Sequence, residues 1–383
     1  MGCNNVKEEL KNSNENYNFG NVFYNPLILE QIFQFLNEDN IKLFSLCNKN
    51  LYLLYCNLIK KLKINKKAQI SNIQILFDKY VNINNLDLCQ CKSIKDFTPI
   101  TKLEGLEILK INCTIISDIS FLENNKNIKK LYLAKCQYIE DFTPISKLEK
   151  LEILNINCTS ISDISFLENN KNIKALDLRF CENLKDFTPL SKLEKLEFIK
   201  IGSNNFYFFE ISFLENNKNI KELVLNGIIV KDFAPLFKLE KLEILSIFAS
   251  NISDISFLEN NKNIKKLDLV DCDNIKDFTP ISKLENLKFL KITGTNISDI
   301  SFLENNKNIK TLYLSFCENI KDFTPISKLE RLEILAFFYT NISDISFLEN
   351  NKNIKELYLV GCDKLIKKDH IFKRKDIKID ISD

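Results

Sequence analysis

General acid–base or nucleophilic chemistry near neutral pH leans on histidine, and this chain of 383 residues holds one, His370, thirteen residues from its end. A Ser-His-Asp or Cys-His relay therefore cannot be assembled in the body of the chain. Twelve cysteines are present, but Cys89-x-Cys91 is a lone pair with no second pair at zinc-ligand spacing. Cys91, Cys136, Cys181, Cys272, Cys317 and Cys362 instead recur at multiples of about 45 residues, with Thr114, Thr159, Thr295 and Thr340 in the same slot of the intervening units. This slot predicts a buried hydrogen-bonded ladder. Asp118, Asp163, Asp254, Asp299 and Asp344 have a similar rhythm, each just ahead of a Ser-Phe-Leu-Glu segment. They are read as turn caps, not as a metal ladder. Paired acids lie on polar Lys-Leu-Glu-Lys-Leu-Glu turns, and the seven glycines form no phosphate-cradling loop. No catalytic residue, cofactor or metal is expected, so the function to look for is binding.

Composition narrows the partners. Fifty-three basic side chains against 51 acidic give a net charge of +2, with no bulk field for nucleic acid or an anionic membrane. No apolar run approaches the ~20 residues of a bilayer span. Met1–Asn18 is rich in Asn and Glu and lacks the apolar core of a secretory signal, so the thiols are expected to be reduced in a cytoplasmic or nuclear protein. Met1-Gly2-Cys3 fits a lipidation start poorly, because Val6 stands where the pattern wants Ser or Thr.

The elements that would carry a binding face are repeats. Asp-Phe-Thr/Ala-Pro begins at Asp96, Asp141, Asp186, Asp232, Asp277 and Asp322, in steps of 45 or 46 residues. A Leu-x-Leu pair or its Ile variant recurs twice per step: Leu86, Leu109, Leu131, Leu154, Leu176, Ile199, Leu223, Leu245, Leu267, Leu290, Leu312, Leu335 and Leu357, 22 to 24 residues apart. Such a period predicts a solenoid whose units bury their apolar sides against one another. Alternation in each pair predicts short parallel strands on the concave side. Ser120-Phe-Leu-Glu123 and its copies predict capping boxes at short convex helices, and Thr98-Pro99 and its copies an N-cap followed by proline.

Leu131-x-Leu133-x-x-Cys136-x-x-Ile139 resembles the core of a leucine-rich repeat. The Ile-Ser-Asp-Ile segments are similar to the short repeats of internalins and phosphatase regulators. The cysteine form is similar to the repeats found behind an F-box. The resemblance implies an α/β solenoid, a leucine-rich-repeat superhelix with a parallel concave sheet. Residues 86–362 make about thirteen units of 22 to 24 residues, preceded by an atypical first repeat at 62–85 and closed by a cap at 363–383.

Residues 1–19 read as a disordered leader and 20–61 as a small helical module. Ile32-Phe-Gln-Phe-Leu36 and Leu43-Phe-Ser-Leu-Cys47 resemble an F-box, although Pro26 is a residue out of place and no Trp closes the motif. The resemblance implies that Ile32, Phe33, Leu36, Leu43 and Leu46 contact the adaptor subunit of an SCF-type ubiquitin ligase. The alternative is an inert cap on the first repeat.

The convex segments are nearly identical from copy to copy, whereas the strand positions facing the concave side differ. Tyr313, Phe316, Phe338, Tyr339 and Tyr358 fall on three successive predicted strands and are the expected anchor of a protein partner, with Phe248, Phe180 and Arg179 further along the same face. Phe206, Tyr207, Phe208 and Phe209 sit where the rhythm breaks, at an irregular bulge. They either contact a partner or pack inward. A monomer outside its complexes is expected.

Overall fold

A computed structural model describes residues 60–64, 73–78, 80–205, 208–366 and 374–381. The leader, nearly all of the F-box-like module, Phe206, Tyr207 and part of the C-terminal cap lie outside these residues. The strands are β1 (Lys61–Lys63), β2 (Asn85–Asp87), β3 (Ile108–Lys110), β4 (Lys130–Tyr132), β5 (Ile153–Asn155), β6 (Ala175–Arg179), β7 (Phe198–Gly202), β8 (Phe208–Phe209) and β9 (Glu222–Asn226). They continue with β10 (Ile229–Val230), β11 (Ile244–Phe248), β12 (Lys266–Val270), β13 (Phe289–Thr293), β14 (Thr311–Ser315), β15 (Ile334–Phe338), β16 (Glu356–Val360) and β17 (Lys378–Asp380). All but β8 and β10 form one fifteen-stranded parallel sheet in chain order. The predicted leucines are its register: Leu62 pairs with Leu86, Leu86 with Leu109, and so on to Leu335 with Leu357. Ile379 continues the row beyond Leu357, adding a strand that the repeat pattern does not announce.

Each strand buries its leucines and turns the alternate residues outward, so the core is a continuous apolar column running the length of the array. The polar ladder lies within it. Thr114 Oγ1 donates to the Ile111 carbonyl at 2.8 Å and lies 3.6 Å from Cys136 Sγ, which reaches the same carbonyl at 3.2 Å. The arrangement recurs at Thr159 and Cys181. Burial pushes these thiols up, to about 11 for Cys181 and about 12 for Cys272.

The convex side is built of 3-10 helices of four or five residues, such as Thr98–Lys102 and Ser120–Asn124. A repeat this short leaves room for a single i→i+3 turn, as where the Leu122 N–H donates to the Ile119 carbonyl at 3.0 Å. Here the aspartates are turn caps as expected, but the capping role given to Ser and Thr is corrected. Ser120 and Thr98 are the first residues of these turns, not their caps. The cap is the aspartate two residues earlier: Asp118 Oδ1 accepts the Ser120 N–H at 2.8 Å and Asp96 Oδ1 the Thr98 N–H at 2.9 Å. The hydrogen bonds from Thr98 hold the Asp96 carboxyl below the usual carboxylate range.

A second ladder stands behind the turns. Asn125, Asn170, Asn217, Asn261, Asn306 and Asn351 are fully or almost fully buried. Asn170 Nδ2 donates to the Ile145 and Leu148 carbonyls of the preceding Thr-Pro turn, at 3.0 Å each. These asparagines recur once per 45 residues, so they tie each Ser-Phe-Leu-Glu repeat to the Thr-Pro repeat before it.

The rhythm breaks where expected. β8 pairs in parallel with β10, apart from the main sheet, and the Asn251 side chain completes β10 by bonding both the N–H and the carbonyl of Val230 at 2.9 Å. At the far end Ile377 is buried, whereas Ile366 is exposed. Arg374 ties the last described segment to the final repeat. It donates to the Asn351 and Lys352 carbonyls at 3.3 and 3.1 Å.

Candidate binding face

The chain leaves most strands of the main sheet, though not β7, through a left-handed residue. φ is +61° at Lys135, +60° at Phe180, +48° at Ala249, +55° at Phe316 and +52° at Tyr339, while Gly227, Gly294 and Gly361 fill the same slot elsewhere. This conformation turns the next residue, usually Thr or Cys but Ser250 after Ala249 and Ile228 after Gly227, inward and leaves the left-handed side chain on the rim of the concave face. Only glycine takes it without a steric penalty.

Phe316 and Tyr339 are consequently rim residues, one position beyond β14 and β15, and not on the concave floor where alternation alone had put them. They are 50% and 51% exposed. Their rings stack with centroids 5.0 Å apart and planes 17° apart. Tyr339 lies over Gly361, whose missing Cβ would fall 2.5 Å from two ring carbons. On the floor beside them, Phe338 and Tyr358 are half-buried with centroids 6.3 Å apart, and Phe289 and Tyr313 with centroids 5.7 Å apart. The Tyr358 hydroxyl donates to the Glu356 carboxylate, and Lys378 stands 5.6 Å above the Tyr358 ring. All five predicted aromatics thus come together over β14 to β16. Phe289 joins them from β13, unannounced, because it opens its strand where most repeats carry an aliphatic or charged residue.

The other predicted residues are not part of this cluster. Phe248 is half-buried on β11, three strands before β14. Arg179 is neutralised within its own strand, donating to Asp177 from Nε at 3.0 Å and from Nη2 at 2.7 Å, and half-buried Phe180 follows it on the rim. At the bulge the two readings divide: Phe209 is buried with its ring 5.1 Å from Phe187, while Phe208 is 78% exposed. Ile32, Phe33, Leu36, Leu43 and Leu46 lie outside the described residues.

Charge is distributed unevenly over the face. Asp268, mid-floor on β12, is buried, and its carboxyl is pushed up by desolvation against the opposing pull of Lys291 and Lys266. Where the chain enters the strands, glutamates and lysines of successive repeats pair in rows, as in Lys174–Glu152 at 3.2 Å. Glu333 bridges Lys310 at 2.7 Å and Lys355 at 2.6 Å, and these bonds pull its carboxyl down to about 2. No group of three or more His, Cys, Asp or Glu placed to hold a metal ion occurs among the described residues, and no helix there is long and apolar enough to cross a membrane.

Comparison with known proteins agrees with this architecture. The family model for leucine-rich repeats in two copies matches residues 285–328. No curated protein has a significantly similar sequence. Among solved structures, an internalin (inlF) from Listeria monocytogenes is similar over 69% of this chain and 83% of its own, at 26% identity and a TM-score of 0.56. A leucine-rich-repeat protein of Leptospira interrogans aligns with 87% of this chain and 98% of its own, at 15% identity and a TM-score of 0.62. The functional domain of InlJ from Listeria monocytogenes, described as including a cysteine ladder, aligns with 80% of this chain and 74% of its own, at 16% identity and a TM-score of 0.55. Repeat length, strand register and the repeats matched at residues 285–328 agree on a leucine-rich-repeat solenoid fold.

Proposed function

We propose that this chain is a binding protein that holds a protein partner on its concave face, with the aromatic cluster over β14 to β16 as the anchor. The observation that carries the reading is the pair Phe316 and Tyr339. The fold does not need aromatic rings in the left-handed slot, since Ala249, Gly294 and Gly361 fill it elsewhere. Any non-glycine residue there carries a left-handed penalty of about 1–2 kcal/mol, but only an aromatic one also exposes half of a ring to water. Paired, half-exposed aromatic rings are the usual anchors of a protein interface. The convex face, nearly identical from copy to copy, and the concave face, different in every copy, support the same division of labour. Chemistry by the chain itself forms no part of the reading.

The test is site-specific photo-crosslinking in extract of the producing cells. A benzophenone side chain at position 316 or 339 is expected to give adducts of discrete mass, and one at convex position 147 is not. Equal labelling from all three positions refutes the anchor.

A finer reading is that the captured protein is passed to an SCF-type ubiquitin ligase through Ile32, Phe33, Leu36, Leu43 and Leu46. It is supported by the sequence of residues 24–64, and the alternative is a scaffold or regulatory binder without a ligase. The full chain is expected to pull down the ligase's adaptor subunit and the Ile32→Glu/Phe33→Glu variant to fail. Absence of binding by the wild type leaves the scaffold.

A further inference from the structure

The far end of the concave face has a different chemistry. On β4, Lys130 and Tyr132 alternate on the concave side, and Lys135 stands exposed in the left-handed rim slot three residues further on. Lys110 on β3 is the register neighbour of Tyr132 and places its Nζ 5.5 Å from that ring's centroid. One ammonium group thus stands over the tyrosine, with two further lysines beside it in sequence on the same face and rim. In the middle of the face Arg179 is paired with Asp177 at 2.7 Å and Lys200 with Glu222 at 2.8 Å, and Lys266 and Lys291 flank the buried Asp268. Asp87, the register neighbour of Lys110 on the N-terminal side, is engaged by Lys63 at 3.9 Å. Lys110, Lys130 and Lys135 have no ion pair among the described residues.

We infer that Lys110, Lys130, Lys135 and Tyr132 form a second subsite, which takes an acidic stretch of the same protein partner. The inference rests on the concave face being the recognition surface. Charge complementarity selects the occupant: a cluster of cations without ion pairs on one concave surface attracts carboxylates. Tyr132 adds a flat surface for the stems of glutamate side chains. The two subsites also fix polarity. From β4 to β15 is nine strand spacings, about 43 Å along the sheet, or about thirteen residues of extended chain. The partner accordingly presents an acidic run at one end of its footprint and an apolar or aromatic anchor at the other, with the acidic end toward the N-terminus of the array.

The probe for the subsite is a fluorescein-labelled peptide of consecutive glutamates, titrated with the full chain and followed by fluorescence anisotropy at low salt. Saturable binding is expected, weakened about tenfold by Lys110→Glu/Lys130→Glu/Lys135→Glu and more mildly by the same three changes to Gln, which keep the stems and guard against misfolding. The convex reversal Lys147→Glu/Lys171→Glu/Lys192→Glu is expected to leave it unchanged. Absence of binding, or equal loss from the convex reversal, overturns the subsite. An oligothymidylate of matched charge that binds as tightly as the peptide also overturns it, since the site is then a general polyanion surface. Phe316→Ala/Tyr339→Ala is expected to keep peptide binding, so failure of the aromatic anchor and failure of this subsite are read separately.

Discussion

Ala249 gives the cleanest measure of the left-handed strand exit on which the rim depends. Its φ is +48°, and its methyl is half-buried, so Ala249→Gly removes little besides the steric clash of Cβ. Ala134, just beyond β4, is equally half-buried but is not left-handed. Ala134→Gly is expected to cost about 1 kcal/mol, from the greater freedom of glycine in the unfolded chain and the lost methyl. Ala249→Gly carries the same two costs, but it also releases a left-handed penalty of about 1–2 kcal/mol. The two variants should therefore differ by about 1.5 kcal/mol, with Ala249→Gly at or above wild-type stability. Urea unfolding followed by circular dichroism, with a common slope fitted to all three proteins, resolves a difference of this size. If Ala249→Gly is no more stable than Ala134→Gly, the strand exits are not left-handed in solution and the rim assignment of Phe316 and Tyr339 fails with them.

Two further outcomes follow from the ionisable groups. Cys181 and Cys272, pushed up to about 11 and about 12 by burial, should resist alkylation by iodoacetamide at pH 8 in the native protein and react after unfolding; labelling at native rates would show that the ladder is open to solvent. Asp96, Asp141, Asp186, Asp277, Asp322 and Asp344 are all held below the usual carboxylate range by bonds to Thr or Ser, so their stabilisation is complete above the unfolded value near 4 and is lost as pH falls through the lower folded values. Thermal midpoints should be flat from pH 7 to about 5 and fall below about 4; a midpoint unchanged at pH 3 would mean the caps contribute nothing.

The register was legible because a leucine at fixed spacing has one place to go, and all thirteen predicted leucines and isoleucines are strand positions in one sheet. The Cys/Thr ladder was legible for the same reason. What the sequence concealed were contacts between repeats made by polar residues. Asn170 lies in the run Asn-Asn-Lys-Asn, which reads as loop, and nothing local says that one of its asparagines is buried. The aspartates before each Ser-Phe-Leu-Glu segment were legible as turn caps, but a second cap was wrongly given to Ser and Thr, because Ser-x-x-Glu matches an α-helical box whereas a 3-10 turn starting at the serine takes its acceptor two residues earlier. The aromatic anchor was found by residue type, but its height above the floor was missed, since strand alternation does not foresee a left-handed exit.

The asparagine ladder has a consequence for how such an array changes length. Each Asn grips the Thr-Pro turn of the repeat before it, whereas the opposite seam is joined by a ladder cysteine such as Cys136 on the Ile111 carbonyl, so two kinds of seam alternate and the repeating unit is the pair of repeats. Excision of a 45-residue pair, such as one step from Asp141 to Asp186, rejoins matching surfaces and shortens the sheet by two strands. Excision of a single repeat sets two like units side by side, leaving an asparagine without its turn or a turn without its asparagine. Growth and loss of this solenoid are thereby quantised in doublets, and each doublet shifts the distance between the lysine end and the aromatic end of the face by about 10 Å.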